Sequence, residues 1–121
     1  MFTDYSKEGF KKHLRDDPTI YPLFCKFANQ AASVREYYSA MAIFQMMRWE
    51  STIVMKNKDF KIANNWCSHY ARKFMRDHPK QKGFFRLLIH PFTFFPTEAD
   101  EREAIANNIV HAERVKRQKG V

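Results

Sequence analysis

The side chains best placed to do chemistry are the cations of the middle third. Residues 56–90 hold nine bases (Lys56, Lys58, Lys61, Arg72, Lys73, Arg76, Lys80, Lys82 and Arg86) against only Asp59 and Asp77. The whole chain has 21 bases, 13 acids and a net charge of +8, so seven of the eight excess charges lie in this stretch. Such groups neutralise phosphates and release counterions, while neighbouring Asn, Ser and aromatic side chains touch bases or sugars. Phe60, Trp66, Tyr70, Phe84 and Phe85 are interleaved with them. On a helix, His69, Arg72, Lys73 and Arg76 share one face with Ser68 at its border. A face of this kind suits a major groove, with the cations on phosphate and His69 or Ser68 nearer the bases. The plainer alternative is that the charge only solubilises a helix surface.

Other chemistries find less support. Metal sites need several His, Cys or carboxylate ligands at short spacing. The five histidines are scattered, and Cys67-Ser68-His69 is the only close pair, its two members pointing to different sides of a helix. No metal and no cofactor are therefore expected. The chain has no nucleophile elbow, P-loop, HExxH or kinase-like pattern. A metal-dependent nuclease could be assembled from His69, Arg72, Asp59 and Asn65, but no spacing rule selects them, and a non-enzymatic protein is expected. The opening residues MFTDYSKEGF are polar, unlike a secretory leader. Cys25 and Cys67 are accordingly expected as buried free thiols in a cytoplasmic protein. No run approaches the roughly 18 apolar residues of a membrane span.

These side chains must be positioned by helices. A chain of 121 residues with 45% hydrophobic residues and 19 aromatics builds one real core. Three Gly and five Pro are too few for a turn-rich sandwich or barrel. The expectation is a mainly α single domain over residues 1–121 with four or five helices and a small β element, in one form a divergent winged helix-turn-helix. Periodicity places a first helix near Ser6–Arg15, with Phe10 and Leu14 inward. A second opens at Asp17 or Thr19 and turns Ile20, Leu23, Phe24, Phe27, Ala28 and Ala31 to the core. Ser39 caps a third that runs to Met55, its stripe including Ala42, Ile43, Met46, Met47, Trp49 and Ile53.

Phe60-Lys61-Ile62 alternates like a very short extended segment. Asn64 or Asn65 then caps a fourth helix, about Trp66–Asp77, which His78-Pro79 stops. The connection before it, eight or nine residues long, exceeds the three- or four-residue turn of the standard helix-turn-helix. A last helix opens at Thr97, with Asp100 three residues on, and points Ile105, Ile109, Ala112 and Val115 inward. Between them, Gly83–Phe95 reads as an extended arm or short hairpin. Its aromatics Phe84, Phe85, Phe92, Phe94 and Phe95 are core; exposed, they would make a patch for a homodimer or a protein target.

Residues 18–86 carry an ordered pattern: Arg48-Trp49-Glu50, Asp59-Phe60-Lys61-Ile62 with Asn64-Asn65, Tyr70-Ala71-Arg72, His78-Pro79 and Gly83-Phe84-Phe85-Arg86. In this the chain resembles a group of small proteins from phages, prophages and bacteria. The resemblance implies a phage or mobile-element origin and, if so, the cytoplasm of a bacterial host; it brings no activity and no catalytic residues. Two functions follow as expectations. The first is a small basic protein that binds DNA or RNA through Lys56, Lys58, Lys61, Ser68, His69, Arg72, Lys73, Arg76, Lys80, Lys82 and Arg86. The second is a phage-encoded counter-defence inhibitor, anti-CRISPR-like, whose same charges dock on a host nucleic-acid enzyme.

Overall fold

The computed structural model describes residues 3–87 and 97–119, and these form a compact helical domain. Five α-helices follow in order: α1 (Lys7–Asp16), α2 (Ile20–Ala32), α3 (Ala40–Trp49), α4 (Cys67–Asp77) and α5 (Glu98–Lys119). Among the described residues there is no strand, so the small β element and the wing are not seen. Phe60-Lys61-Ile62 is irregular backbone that tucks Ile62 into the core. No helix among the described residues is long and apolar enough to cross a membrane.

The helix starts follow local chemistry. Ser6 caps α1 by accepting from the Gly9 N–H, and Ser39 caps α3 by accepting from the Ala42 N–H. Thr97 Oγ1 accepts from the Asp100 N–H at 3.1 Å, as the spacing predicts. Thr19 precedes α2 without a side-chain cap. Asn64 and Asn65 do not cap α4 either: they lie in a short 3₁₀ turn, Asn64–Trp66, and the Asn64 side chain accepts from Arg48 instead. The third helix does continue past Trp49, but as a π turn over Glu50–Val54, closed by the Met55 N–H on the Glu50 carbonyl.

The core is aromatic. Phe24, Phe44, Tyr70, Phe74, Phe84 and Phe85 are fully buried, with ring centroids 4.9–6.0 Å apart in the pairs Phe24–Phe44, Phe24–Phe85, Phe74–Phe85 and Phe84–Phe85. Phe84 and Phe85 are thus core, as expected; the rest of that arm, with Phe92, Phe94 and Phe95, lies outside the described residues. The α1 helix closes one end by laying Phe10 on His69, at 4.9 Å between ring centroids, and against Tyr70. Cys25 and Cys67 are free thiols, half-buried rather than buried, and burial raises both pKa values, Cys67 to about 11.

Two expectations about burial are corrected. Trp49 is 59% exposed and Ile53 60%, because Ile43, Met47 and Ser51, four residues apart, form the buried side and residues two positions beyond Met47 and Ser51 fall on the opposite one. On α5, Ile105 and Ile109 are 45% and 57% exposed, and the inward side is Ala104, Asn107, Asn108, His111 and Arg114. The physical reason is the surface that α5 meets. It docks on irregular backbone whose carbonyls and N–H groups need partners, so hydrogen-bonding side chains face inward. Asn108 accepts from the Leu87 N–H at 2.8 Å and donates to its carbonyl at 2.7 Å. His111 Nδ1 donates to the Gly83 carbonyl, and Arg114 donates to the carbonyls of Glu36 and Lys80, both at 2.8 Å.

Arg114 joins α5 to two separate loops, and Arg114→Ala leaves the part-buried carbonyls of Glu36 and Lys80 without this donor. The expected loss is about 2–3 kcal/mol of unfolding free energy, measured by urea denaturation. A loss under about 0.5 kcal/mol, the scale of an ordinary surface change, would show that the anchor contributes little.

Candidate anion-binding groove

The eleven residues expected to form one basic face do not share one. Side chains of α4 splay three ways because the helix has neighbours on most sides. Lys73 turns to α2, 3.2 Å from Asp77 and over the Tyr21 ring. Arg76 turns to α5, where Glu103 receives Nε at 2.9 Å and Asp100 lies 3.8 Å away. His69, expected outward, is half-buried: its Nε2–H donates to the Tyr5 carbonyl at 2.7 Å, and its ring stacks on Phe10. It is a packing residue. Lys56, Lys58 and Lys61 are exposed on the irregular connection between the π turn and α4, and Lys80 and Lys82 are exposed around the 3₁₀ turn Pro79–Gln81.

Ser68, Arg72 and Arg86 do come together. They line an open groove of about 860 Å³; their companions there are Asn65, which stands beside Arg72 in the nuclease combination, and Arg35, Tyr37 and His111, to which the sequence assigns no binding role. Arg35 lies outside the charge-rich stretch, Asn65 resembles a helix cap, and His111 belongs to a helix otherwise balanced in charge. No local signal joins them; they meet only through the packing of four separate segments.

Each wall of the groove has a stated support. The loop Ser33–Ser39 is held by the Arg35 N–H on the Ala31 carbonyl at 2.8 Å and the Tyr38 N–H on the Phe84 carbonyl at 3.2 Å. From α5, Arg117 pairs with the Glu36 carboxylate at 3.0 Å, and Arg114 holds the Glu36 carbonyl. Arg86 precedes Leu87, whose backbone is clamped by Asn108. Arg48 donates to the Ile62 carbonyl at 2.8 Å and to Asn64, fixing the turn that delivers Asn65. The His111 ring stands edge-on to Tyr37, 5.4 Å between centroids; with Nδ1 bound to Gly83, Nε2 is its remaining polar atom. The Arg35 guanidinium lies 5.8 Å from the Tyr37 ring centre.

The electrostatics of the groove are one-sided. Among the described residues no Asp or Glu lines it. Among the described residues no carboxylate comes within 4.0 Å of Arg35, Arg72 or Arg86, in contrast to Arg76 and Arg117. Residues 88–96 contain no Asp or Glu. Burial lowers the pKa of Arg72, and the nearby Arg76 adds to this, while Glu103 and Asp100 oppose it from a neighbouring depression. A guanidinium held partly out of water with no carboxylate within 4.0 Å gains more than a surface cation does from binding an anion.

Elsewhere, no three His, Cys, Asp or Glu side chains gather as metal ligands among the described residues. His13 Nε2 lies 2.7 Å from the Tyr70 hydroxyl, its ring stacked on Trp66. Burial lowers the pKa of both His13 and His69, outweighing Asp17 and Asp16 at His13 and the Tyr5 carbonyl at His69. The unfolded chain therefore binds more protons below the ordinary value of 6.5. Stability from these groups is complete above that pH and declines as pH falls through it. The urea midpoint is expected to be lower at pH 5.5 than at pH 7.5, before carboxylates titrate near 4; an unchanged or higher midpoint contradicts this.

Comparison of the chain with protein-family models, curated proteins and solved structures returns no match.

Proposed function

We propose that this protein binds nucleic acid through the arginine groove. The observation that carries the reading is the convergence of Arg35, Arg72 and Arg86, from three separate segments, on a cavity that no carboxylate among the described residues lines. Arginine matches phosphate geometry through its planar fork of donors, and Asn65, Ser68 and Tyr37 add groups that touch sugars and bases. The net charge of +8 assists encounter with any polyanion. The cations on phosphate are thus the groove arginines, with Lys56, Lys58 and Lys61 as exposed auxiliaries and Lys73 and Arg76 occupied by carboxylates.

The test is fluorescence anisotropy with short labelled DNA and RNA between 50 and 300 mM salt, values of about the range over which phosphate contacts show their salt dependence. Binding should weaken linearly in log–log form with salt, and Arg72→Ala should make the slope shallower. Absence of binding at the lowest salt removes the reading.

A second reading, an anti-CRISPR-like inhibitor of phage origin docked on a host nucleic-acid enzyme, draws on a different observation. Trp49 and Ile53, both more than half exposed, join Phe27 and Met46 around an apolar hollow beside the π turn. Exposed Trp beside aliphatic side chains is the composition of protein interfaces. Recovery of one such enzyme from nuclease-treated lysate, lost on Trp49→Ala, would favour it.

A further inference from the structure

We infer that the groove takes a single-stranded segment, with an unpaired base lodged inside and its flanking phosphates on the arginines; this rests on the nucleic-acid reading above. Three observations carry it. The first is shape. A cavity of about 860 Å³ is of the size that encloses small ligands, roughly 300–1,000 Å³. A duplex presents its phosphates on a convex rod and would touch only the rim, leaving the interior unused, whereas a splayed nucleotide fills it.

The second is the division of the lining by chemistry. Met41, Ala71 and Leu87 are apolar, and Tyr37 offers an aromatic ring that already carries the Arg35 guanidinium. A base can extend such a stack, and base–aromatic stacking tolerates any sequence because every base has a π-face. Asn65 can both donate to and accept from a base edge.

The third is that α4 does not offer a free basic face to a duplex major groove. On α4, the helix expected to do so, His69 is bonded to Tyr5, Lys73 to Asp77 and Arg76 to Glu103. Docking this face on a duplex would also bring Glu98, Asp100, Glu101 and Glu103 of the α5 N-terminus towards phosphates. The groove side carries none of these acids.

The experiment compares three labelled ligands on the wild-type protein: a mixed-sequence single strand of about 12 nucleotides, a length within the range that single-strand binding sites span, its duplex, and the same strand with abasic sites that keep every phosphate. The single strand should bind about tenfold more tightly than the duplex, and abasic sites should cost about tenfold, the scale of one stacked base. Tyr37→Ala should weaken single-strand binding by a similar factor without changing its salt slope, whereas Arg72→Ala should flatten the slope. Equal or tighter binding of the duplex, or an abasic strand bound as well as the intact one, overturns this inference and leaves nucleic-acid binding standing. Failure of all three ligands to bind at low salt overturns both.

Discussion

Replacing Arg35, Arg72 and Arg86 together by glutamine is expected to weaken binding to a single strand by about 500-fold at 50 mM salt, taking a salt slope of about 0.7 per phosphate contact and a 1 M reference. The slope itself should fall by about 2. Glutamine keeps much of the side-chain bulk, and none of the three residues bridges to a carboxylate among the described residues, so the fold should persist. The matched control is Lys56→Gln with Lys58→Gln and Lys61→Gln. It removes the same charge from an exposed connection rather than from the groove. A general electrostatic attraction would lose as much affinity in the control as in the arginine variant, and that equality would remove the groove as the site.

Gly83→Ala is expected to destabilise the fold strongly. Gly83 sits at φ +78°, a left-handed conformation in which a Cβ is strained. That Cβ would lie 2.6 Å from Val110 Cγ1 and 2.7 Å from the His111 backbone nitrogen, both on α5. The conformational cost is about 1–2 kcal/mol and the crowding about 1–3 kcal/mol, so about 2–5 kcal/mol in all. Relief of the crowding requires α5 to recede, which stretches the 2.9 Å bond from His111 to the Gly83 carbonyl and carries His111 off the groove wall. Urea denaturation and anisotropy on the same variant should therefore both move. Adding Val110→Ala should restore part of the crowding term and none of the conformational term. An unperturbed urea midpoint in Gly83→Ala would mean that α5 is not held against this turn.

Much of the architecture was readable from local patterns. Ser39 and Thr97 cap the helices expected of them because a cap depends on a hydroxyl and an N–H two or three residues away. Phe24, Ile43, Phe74 and the Phe84-Phe85 pair are buried because an apolar stripe at helical spacing, or an aromatic pair beside a turn, has few other places to go. The same logic failed on α5. Its apolar Ile105 and Ile109 suggested the inward face, yet Asn107, Asn108, His111 and Arg114 line it. Periodicity measures affinity for an apolar partner and is blind to a helix whose partner is exposed backbone polarity. Trp49 failed for a different reason: it is apolar by type, but it stands two positions beyond Met47, about half a turn round the helix from the side that Ile43, Met47 and Ser51 bury.

From residue order alone came a helical domain, two of its caps, its aromatic core and a cationic middle third. The fate of each cation was a matter of tertiary contact. Lys73 and Arg76 meet carboxylates, one four residues along its own helix and the other brought by α5, while Arg72, only one residue from Lys73, turns into a groove without one. Arg35 and His111, 76 positions apart in the chain, reach the same groove. Charge along a chain is a local property, but whether a charge is neutralised or left for a ligand depends on which distant groups folding brings within a few ångströms, and no spacing rule encodes that.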